Sequence, residues 1–329
     1  MHRTAIAAAA ALALAATPAT AGDRAAIKVQ SAGTMRGARS VQVAAFNVGF
    51  IFESVDRAKE KTGGMIGAFG GATDAKSVLT GVDAATMQAI TDAAYADFRA
   101  QLATHGFTVV DAAPLFADAA YAKMKPTSAP FETSVALDPK GKAKGKATYF
   151  KPAALPAQLF LPGDVTASGM FAGFGQMAYT SNASGFMQAA QRSGAAVIAV
   201  SYLIDFSQVK RPGAFSFGGG IAVNSGMAVV DDYSRLSVVL PKGQTTLTVD
   251  QAVAVEGDFA DRADTTKGGG AQKAANIAGG VAAAFGMGGF KFGKNKTFTF
   301  TAKPAFQEGA TKAATLTNAR MADQLAALR

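Results

Sequence analysis

Few residues in this chain could do chemistry, and their spacing settles most of them. Gly288 to Asn295 reads GGFKFGKN, which stops short of the phosphate-cradling pattern G-x-x-x-x-G-K-[ST] at its last position. A phosphate loop needs a strand before its glycines and a helix after its lysine, so that backbone N–H groups and the helix N-terminus face the anion. Here the order is reversed. Ile277 to Phe285 reads as helical, Thr297 to Thr301 reads as extended, and Asn295 stands where a hydroxyl would ligate magnesium. The expectation is no nucleotide.

Of the 2 histidines, His2 lies at the extreme N-terminus, which leaves His105 beside Gly106 at the end of a helical pattern. A cation there complements the helix dipole, so His105 reads as structural, and neither a histidine metal cluster nor a Ser-His-Asp relay can be assembled. The acidic groupings are Asp231-Asp232 and the series Asp258, Asp261, Asp264. Catalytic carboxylate pairs face each other across roughly 5 to 10 Å, which neighbours on a loop seldom do. The series would lie along one helical face as solvated surface, with weak divalent-cation binding as the alternative. No catalytic, cofactor or metal residue is therefore assigned. Phe290 to Phe298 interleaves lysines and phenylalanines as single-strand nucleic-acid binders do, but the N-terminus argues for export and against a nucleic-acid partner.

That N-terminus, MHRTAIAAAAALALAATPATAGD, has a short basic start, an apolar core from Ala5 to Ala16 and an A-x-A site at Ala19-Thr20-Ala21. Residues 1–21 read as a cleavable signal peptide, and the location as periplasmic, with outer-membrane association a further expectation. With Cys 0, disulfides, thiolate zinc and a lipidated cysteine are excluded. The formal charge is +9. Its excess is C-terminal, because residues 260–329 hold 10 basic and 4 acidic side chains. An exported basic surface can meet anionic membrane or lipopolysaccharide phosphates.

The elements that must position these groups read as a mixed α/β (α+β) sheet. Residues 22–39 lack periodicity and read as a flexible lead to a first half at 40–139. There Ser40 to Phe46 and Val48 to Phe52 read as buried strand, and Gly63 to Gly71 as a glycine-rich loop. Met87, Ile90, Ala94, Phe98 and Leu102 recur at helical spacing behind the N-cap Asp83, which predicts a helix over 84–105. Phe107 to Val110 reads as strand, and Asp111 as the cap of a second helix reaching Met124, which together make strand-helix-strand-helix.

Four alternating lysines, Lys140, Lys142, Lys144 and Lys146, then mark a basic linker loop at 140–152. The second half, 153–329, opens with a connector at Ala154 to Leu161. A short helix at Gly185 to Gly194 and a long strand at Ala196 to Phe206 follow. A meander over Ile221 to Val230, Ser234 to Leu240 and Thr245 to Val255 comes next. A helix at 272–285, a strand at Lys296 to Ala302 and an amphipathic helix from Pro304 to Leu328 close the chain.

Several of these segments resemble the curli-secretion, CsgG-like family of bacterial envelope proteins, and more loosely the amino-terminal domain of TolB. They are SVQVAAFNVGF, ITDAAYADFRAQLATHGFTVVD, MQAAQRSGAAVIAVSYLIDF, DDYSRLSVVLPKGQTTLTV and VAVEGDF, in the family's order. The resemblance implies a periplasm-facing α/β domain that associates through sheet edges and loops and has no active site. The leading expectation is a non-enzymatic envelope protein that self-associates or supports an envelope assembly or secretion system. The alternative is a periplasmic carrier of a hydrophobic or anionic small molecule. The expected contacts are Met65, Ile66 and Phe69 in the glycine-rich loop and Lys140, Lys142, Lys144 and Lys146 in the basic one.

Overall fold

The structure is a computed structural model that describes residues 27–59, 72–137, 143–165, 172–210, 222–266 and 295–329. At its centre two long strands, β2 (Ser40–Lys59) and β7 (Ala196–Lys210), run parallel from Val41↔Ala196 to Phe50↔Ile204. The other described strands are β1 (Ile27–Gln30), β3 (Ala72–Thr80), β4 (Thr108–Val109), β5 (Phe131–Ala136), β6 (Lys144–Phe150), β8 (Ala222–Val229), β9 (Arg235–Leu240), β10 (Gly243–Val249), β11 (Val253–Val255), β12 (Ala260–Asp264) and β13 (Lys296–Ala302). All join one mixed sheet. Four α-helices are described: α1 (Ala84–Thr104), α2 (Ala113–Ala117), α3 (Ala172–Ser193) and α4 (Phe306–Ala327). The α/β mixed-sheet expectation holds, including the C-terminal helix.

Local chemistry explains the elements that the sequence announced. Asp83 accepts a hydrogen bond from Thr86 N–H at 2.8 Å, and Gly106 takes a φ of 79°, so α1 begins and ends where its cap and its glycine put it. Its apolar stripe, Met87, Ile90, Ala94, Phe98 and Leu102, is buried against the sheet. There Phe46 of β2 meets the rings of Tyr95, Phe98 and Tyr202 at 5.6, 5.7 and 5.7 Å. Helix α4 packs beside α1, and its buried Asn318 accepts from Tyr202 Oη at 3.0 Å and donates to the Ala94 carbonyl at 2.8 Å. The opposite face of β2, β7 and β9 is covered by Leu159 and Leu161 of the connector and by Phe186, Ala189 and Ala190 of α3. A helix layer, the sheet, and a layer of helix and connector thus share the core.

Several expectations are corrected. The flexible lead contains β1, which adds to the outer edge of β10, and a 3-10 turn at Ala32–Met35 that buries Met35. Four alternating residues are too few to show a period, and pairing supplies the order. The second helix stops at Ala117, where the Asp118 carboxylate turns back to accept from Ala120 N–H, and a separate 3-10 turn follows at Tyr121–Lys123. The helix predicted from Gly185 begins at Ala172. The meander is split: β9 pairs with the first part of β7, Val197 to Ser201, and β8 with the second, Ile204 to Lys210, while β11 pairs with β8.

The basic linker is the largest correction. Residues 144–150 form β6, which pairs with β2 on one side and β5 on the other. Lysine alternating with glycine or alanine is a period-two pattern, with Lys144 and Lys146 exposed and Gly145 and Ala147 buried. Both expected halves therefore contribute strands to one sheet. Asp258, Asp261 and Asp264 share no helical face, because residues 260–264 are strand β12. Asp258 and Asp261 instead hold Lys303 at 2.6 and 2.8 Å. The segment GGFKFGKN, apart from Asn295, and the helix expected at 272–285 lie outside the described residues.

Candidate interaction site

The expected contact residues fare differently. Met65, Ile66, Phe69, Lys140 and Lys142 lie outside the described residues. Lys144 and Lys146 stand on β6, on the exposed face of the sheet extension formed by β5, β6 and the second half of β2. The β2–β6 ladder slips at Phe52, between Ile51↔Ala147 and Glu53↔Lys146, and that bulge turns Glu53 towards the lysines. Glu53 is 2.8 Å from the Lys76 ammonium and 3.8 Å from that of Lys146, so a cation, an anion and a cation cross three neighbouring strands. Partly exposed pairs of this kind contribute about 0 to 1 kcal/mol each and weaken with salt, and their value lies in the potential they present.

Beside this row lies a cleft of ≈ 500 Å³, bounded by Phe52, Glu132, Thr133, Ser134, Lys146 and Thr148. Its outer wall is β5, whose one described strand partner is β6. Sequence reasoning passed over β5, since FETSVA is short, has one charge and carries no turn signal, although its alternation of half-buried and exposed residues is that of a strand. A second cleft of ≈ 340 Å³ opens between α1 and the connector, lined by Tyr95, Arg99, Asp111, Phe116, Leu155 and Pro156. The Arg99 guanidinium lies 5.7 Å from the Tyr95 ring centroid within it. The second cleft is lined mostly by apolar side chains, Val43 and Val110 among them, with Arg99 and Asp111 as its charged groups.

The buried polar groups form a different kind of site. Asn47 on β2, Ser201 on β7 and Arg235 on β9 occupy one row across three adjacent strands. The connector crosses over that row. Asn47 Nδ2 donates to the Leu159 carbonyl at 2.8 Å, Ser201 Oγ donates to the Asp164 carbonyl at 3.2 Å, and the Asp164 carboxylate accepts from Leu161 N–H at 2.7 Å. Asp164 is 2 % exposed, and burial pushes its carboxyl up to about 7, against the opposing pull of Leu161 N–H and the Arg235 guanidinium. Gly163 has a φ of 86°, and a side chain there would collide with the Arg235 guanidinium. This row locks the connector to the sheet. Asp205 on β7 is likewise pushed up to about 6 by burial, opposed by the N–H and hydroxyl of Ser207 at 3.0 and 3.1 Å.

Three described carboxylates, Asp164, Asp205 and Asp231, have pKa values raised foremost by burial, and they are candidates for proton transfer only where a substrate can reach them. Asp164 is closed over by the connector, and Asp205 is held within its own strand by Ser207, so neither lines a described cleft. His105 caps α1: its Nδ1 lies 2.7 Å from the Gln101 carbonyl and its Nε2 2.7 Å from Asp323 of α4. The Gln101 carbonyl foremost, and then Asp323, hold its pKa above the usual histidine value. Among the described residues no group of three or more His, Asp or Glu side chains could hold a metal ion. No described helix is long and apolar enough to cross a membrane. Comparisons with protein-family models, with curated protein sequences and with solved structures return no match to this chain.

Proposed function

We propose that this chain is an exported, non-enzymatic cell-envelope protein that acts by association, with its own copies or with another envelope protein, in an envelope assembly or secretion system. The observation that carries the reading is the edge of β5 away from β6, which has no strand partner among the described residues, beside a cleft whose rim is charged. An open strand edge offers backbone donors and acceptors that a partner strand satisfies. The signal-peptide pattern at residues 1–21 and the CsgG-like segments support the envelope setting. Lys144 and Lys146 add an exposed basic row that suits an anionic membrane or lipopolysaccharide surface.

The test is the mass of the mature protein by light scattering, after purification from a membrane fraction and from the soluble periplasm. A discrete oligomer, or a stable complex with a second envelope protein, is the expected result. A monomer in both fractions overturns the proposal.

A further inference from the structure

We infer that the edge of β5 at Glu132 and Ser134, which has no strand partner among the described residues, pairs antiparallel with the same edge of a second copy of this chain, about a two-fold axis at Thr133. The inference rests on the association reading above and names its contact. Hydrogen-bond direction sets the starting point. Leu137 N–H donates to the Ala143 carbonyl at 3.0 Å, and the β5–β6 register runs unbroken from Phe131↔Tyr149 to Ala136↔Lys144. Direction alternates along a strand, so Phe131, Thr133, Val135 and Leu137 turn their backbone groups towards β6, and Glu132 and Ser134 turn theirs to the open side.

Edges of this kind recruit other strands unless charge, proline or a bulge protects them. The edge strand β12 exposes Asp261, Arg262 and Asp264, and β1 carries Lys28, which is ion-paired with Asp232 and Asp250. Within β5 the sequence is Phe-Glu-Thr-Ser-Val-Ala, with Glu132 its lone charge and no register shift. It is a less protected edge than β12 or β1.

Symmetry then narrows the register. A two-fold axis relating antiparallel neighbours stands perpendicular to the sheet and keeps every side chain on its own face, so one residue must lie opposite itself. Centring on Glu132 would oppose like charges. Centring on Thr133 sets the two open-edge residues against each other, Glu132 of one copy exchanging backbone hydrogen bonds with Ser134 of the other. It also places Phe131 opposite Val135 and makes a close threonine pair at the axis.

The charges agree with that register. Ser134 lies opposite Lys146 on β6, so each Glu132 shares a row with Ser134 and then Lys146 of the other copy. Two strand spacings of about 4.8 Å separate the backbones, a gap that glutamate and lysine side chains span over a small serine. Lys146 is 70 % exposed at its side chain, and the Glu53 beside it has a closer partner in Lys76, so the ammonium is available to the second copy.

The chain has no cysteine, so one introduced thiol reports on this contact alone. At a non-hydrogen-bonded pair the Cα atoms lie about 4.5 Å apart, within disulfide reach. Mild oxidation of the full mature protein should therefore give a covalent dimer with Thr133→Cys and far less with Ser134→Cys, which sits out of register with its symmetry mate. Equal or stronger crosslinking at 134 overturns the register, and no crosslink at either site, in variants that melt like the parent, overturns the edge pairing.

Light scattering on the same samples separates the two readings. A discrete oligomer that does not crosslink removes the β5 contact and leaves association standing, whereas a monomer removes both. As an independent check, Glu132→Lys should lower the dimer fraction and an added Lys146→Glu should restore it. Failure of that restoration overturns the charge row.

Discussion

Strand β2 passes through two regions that treat side chains in opposite ways. Over residues 40–50 it lies between β7 and the helix layers, with Val41, Phe46 and Val48 fully buried. Past the bulge at Phe52 it exchanges β7 for β3, and the ion row of Lys146, Glu53 and Lys76 crosses it in partial exposure. Where helices and connector cover both faces, apolar contact sets stability. Where the helices end, the same strand carries charge, and its neighbour β6 leads out to β5, which has no second strand partner among the described residues. Burial and exposed charge are thereby separated along one strand, and the proposed association falls on the charged part.

The comparison can be broken most severely from the closed side. Phe46→Ala removes a ring that touches three others and should cost about 3 to 5 kcal/mol in chemical denaturation. Material that remains folded should still associate. A loss of association in that folded fraction would show that the two regions are not separable.

Gly163→Ala is next, with an expected loss of about 1 to 3 kcal/mol, because it combines a left-handed backbone with a collision against Arg235. A thermal midpoint equal to that of the parent would mean that the connector is not locked to the sheet by this row.

Asp164 sharpens the comparison through pH. Its ordinary value of 3.8 is raised to about 7 in the fold, so between those values the folded chain holds a proton that the unfolded chain lacks. Stability should fall as pH rises through that window, and the effect should vanish below it, where both states are protonated. Asp164→Asn keeps an acceptor for Leu161 N–H, and it should flatten the dependence of the urea midpoint on pH between about 4 and 7. An unchanged slope would assign the pH dependence to other groups.

The smallest effect on stability belongs to the open side. Lys146→Gln should change the unfolding free energy by less than about 1 kcal/mol. It should nevertheless weaken association and binding to anionic vesicles, most visibly at low salt. Lost stability with unaltered association would reverse the roles of the two regions.

Much of the fold was legible in local signals. Asp83 and Gly106 bound α1 through a cap and a left-handed residue, each a property of its own few residues. The apolar run from Ala196 could only be buried strand, and Lys296 to Ala302 alternates as β13 does. The β6 pattern was equally present in the sequence, but four lysines read as solvated loop because the two flanking strands that make a period-two segment extended were not in view. Asp164 gave no local signal, since its burial depends on Ser201 and Arg235 from strands distant in the chain.

The sequence by itself determined the absence of disulfide and thiolate chemistry, helix α1 with its cap, and the central strands. Those depend on short-range sterics, capping and periodicity, which are complete within a few residues. Only the tertiary structure decided which strands became edges, that a lysine-rich segment lies inside the sheet, and which carboxylates lost their water. Strand pairing and desolvation are properties of neighbours that the chain brings together by folding.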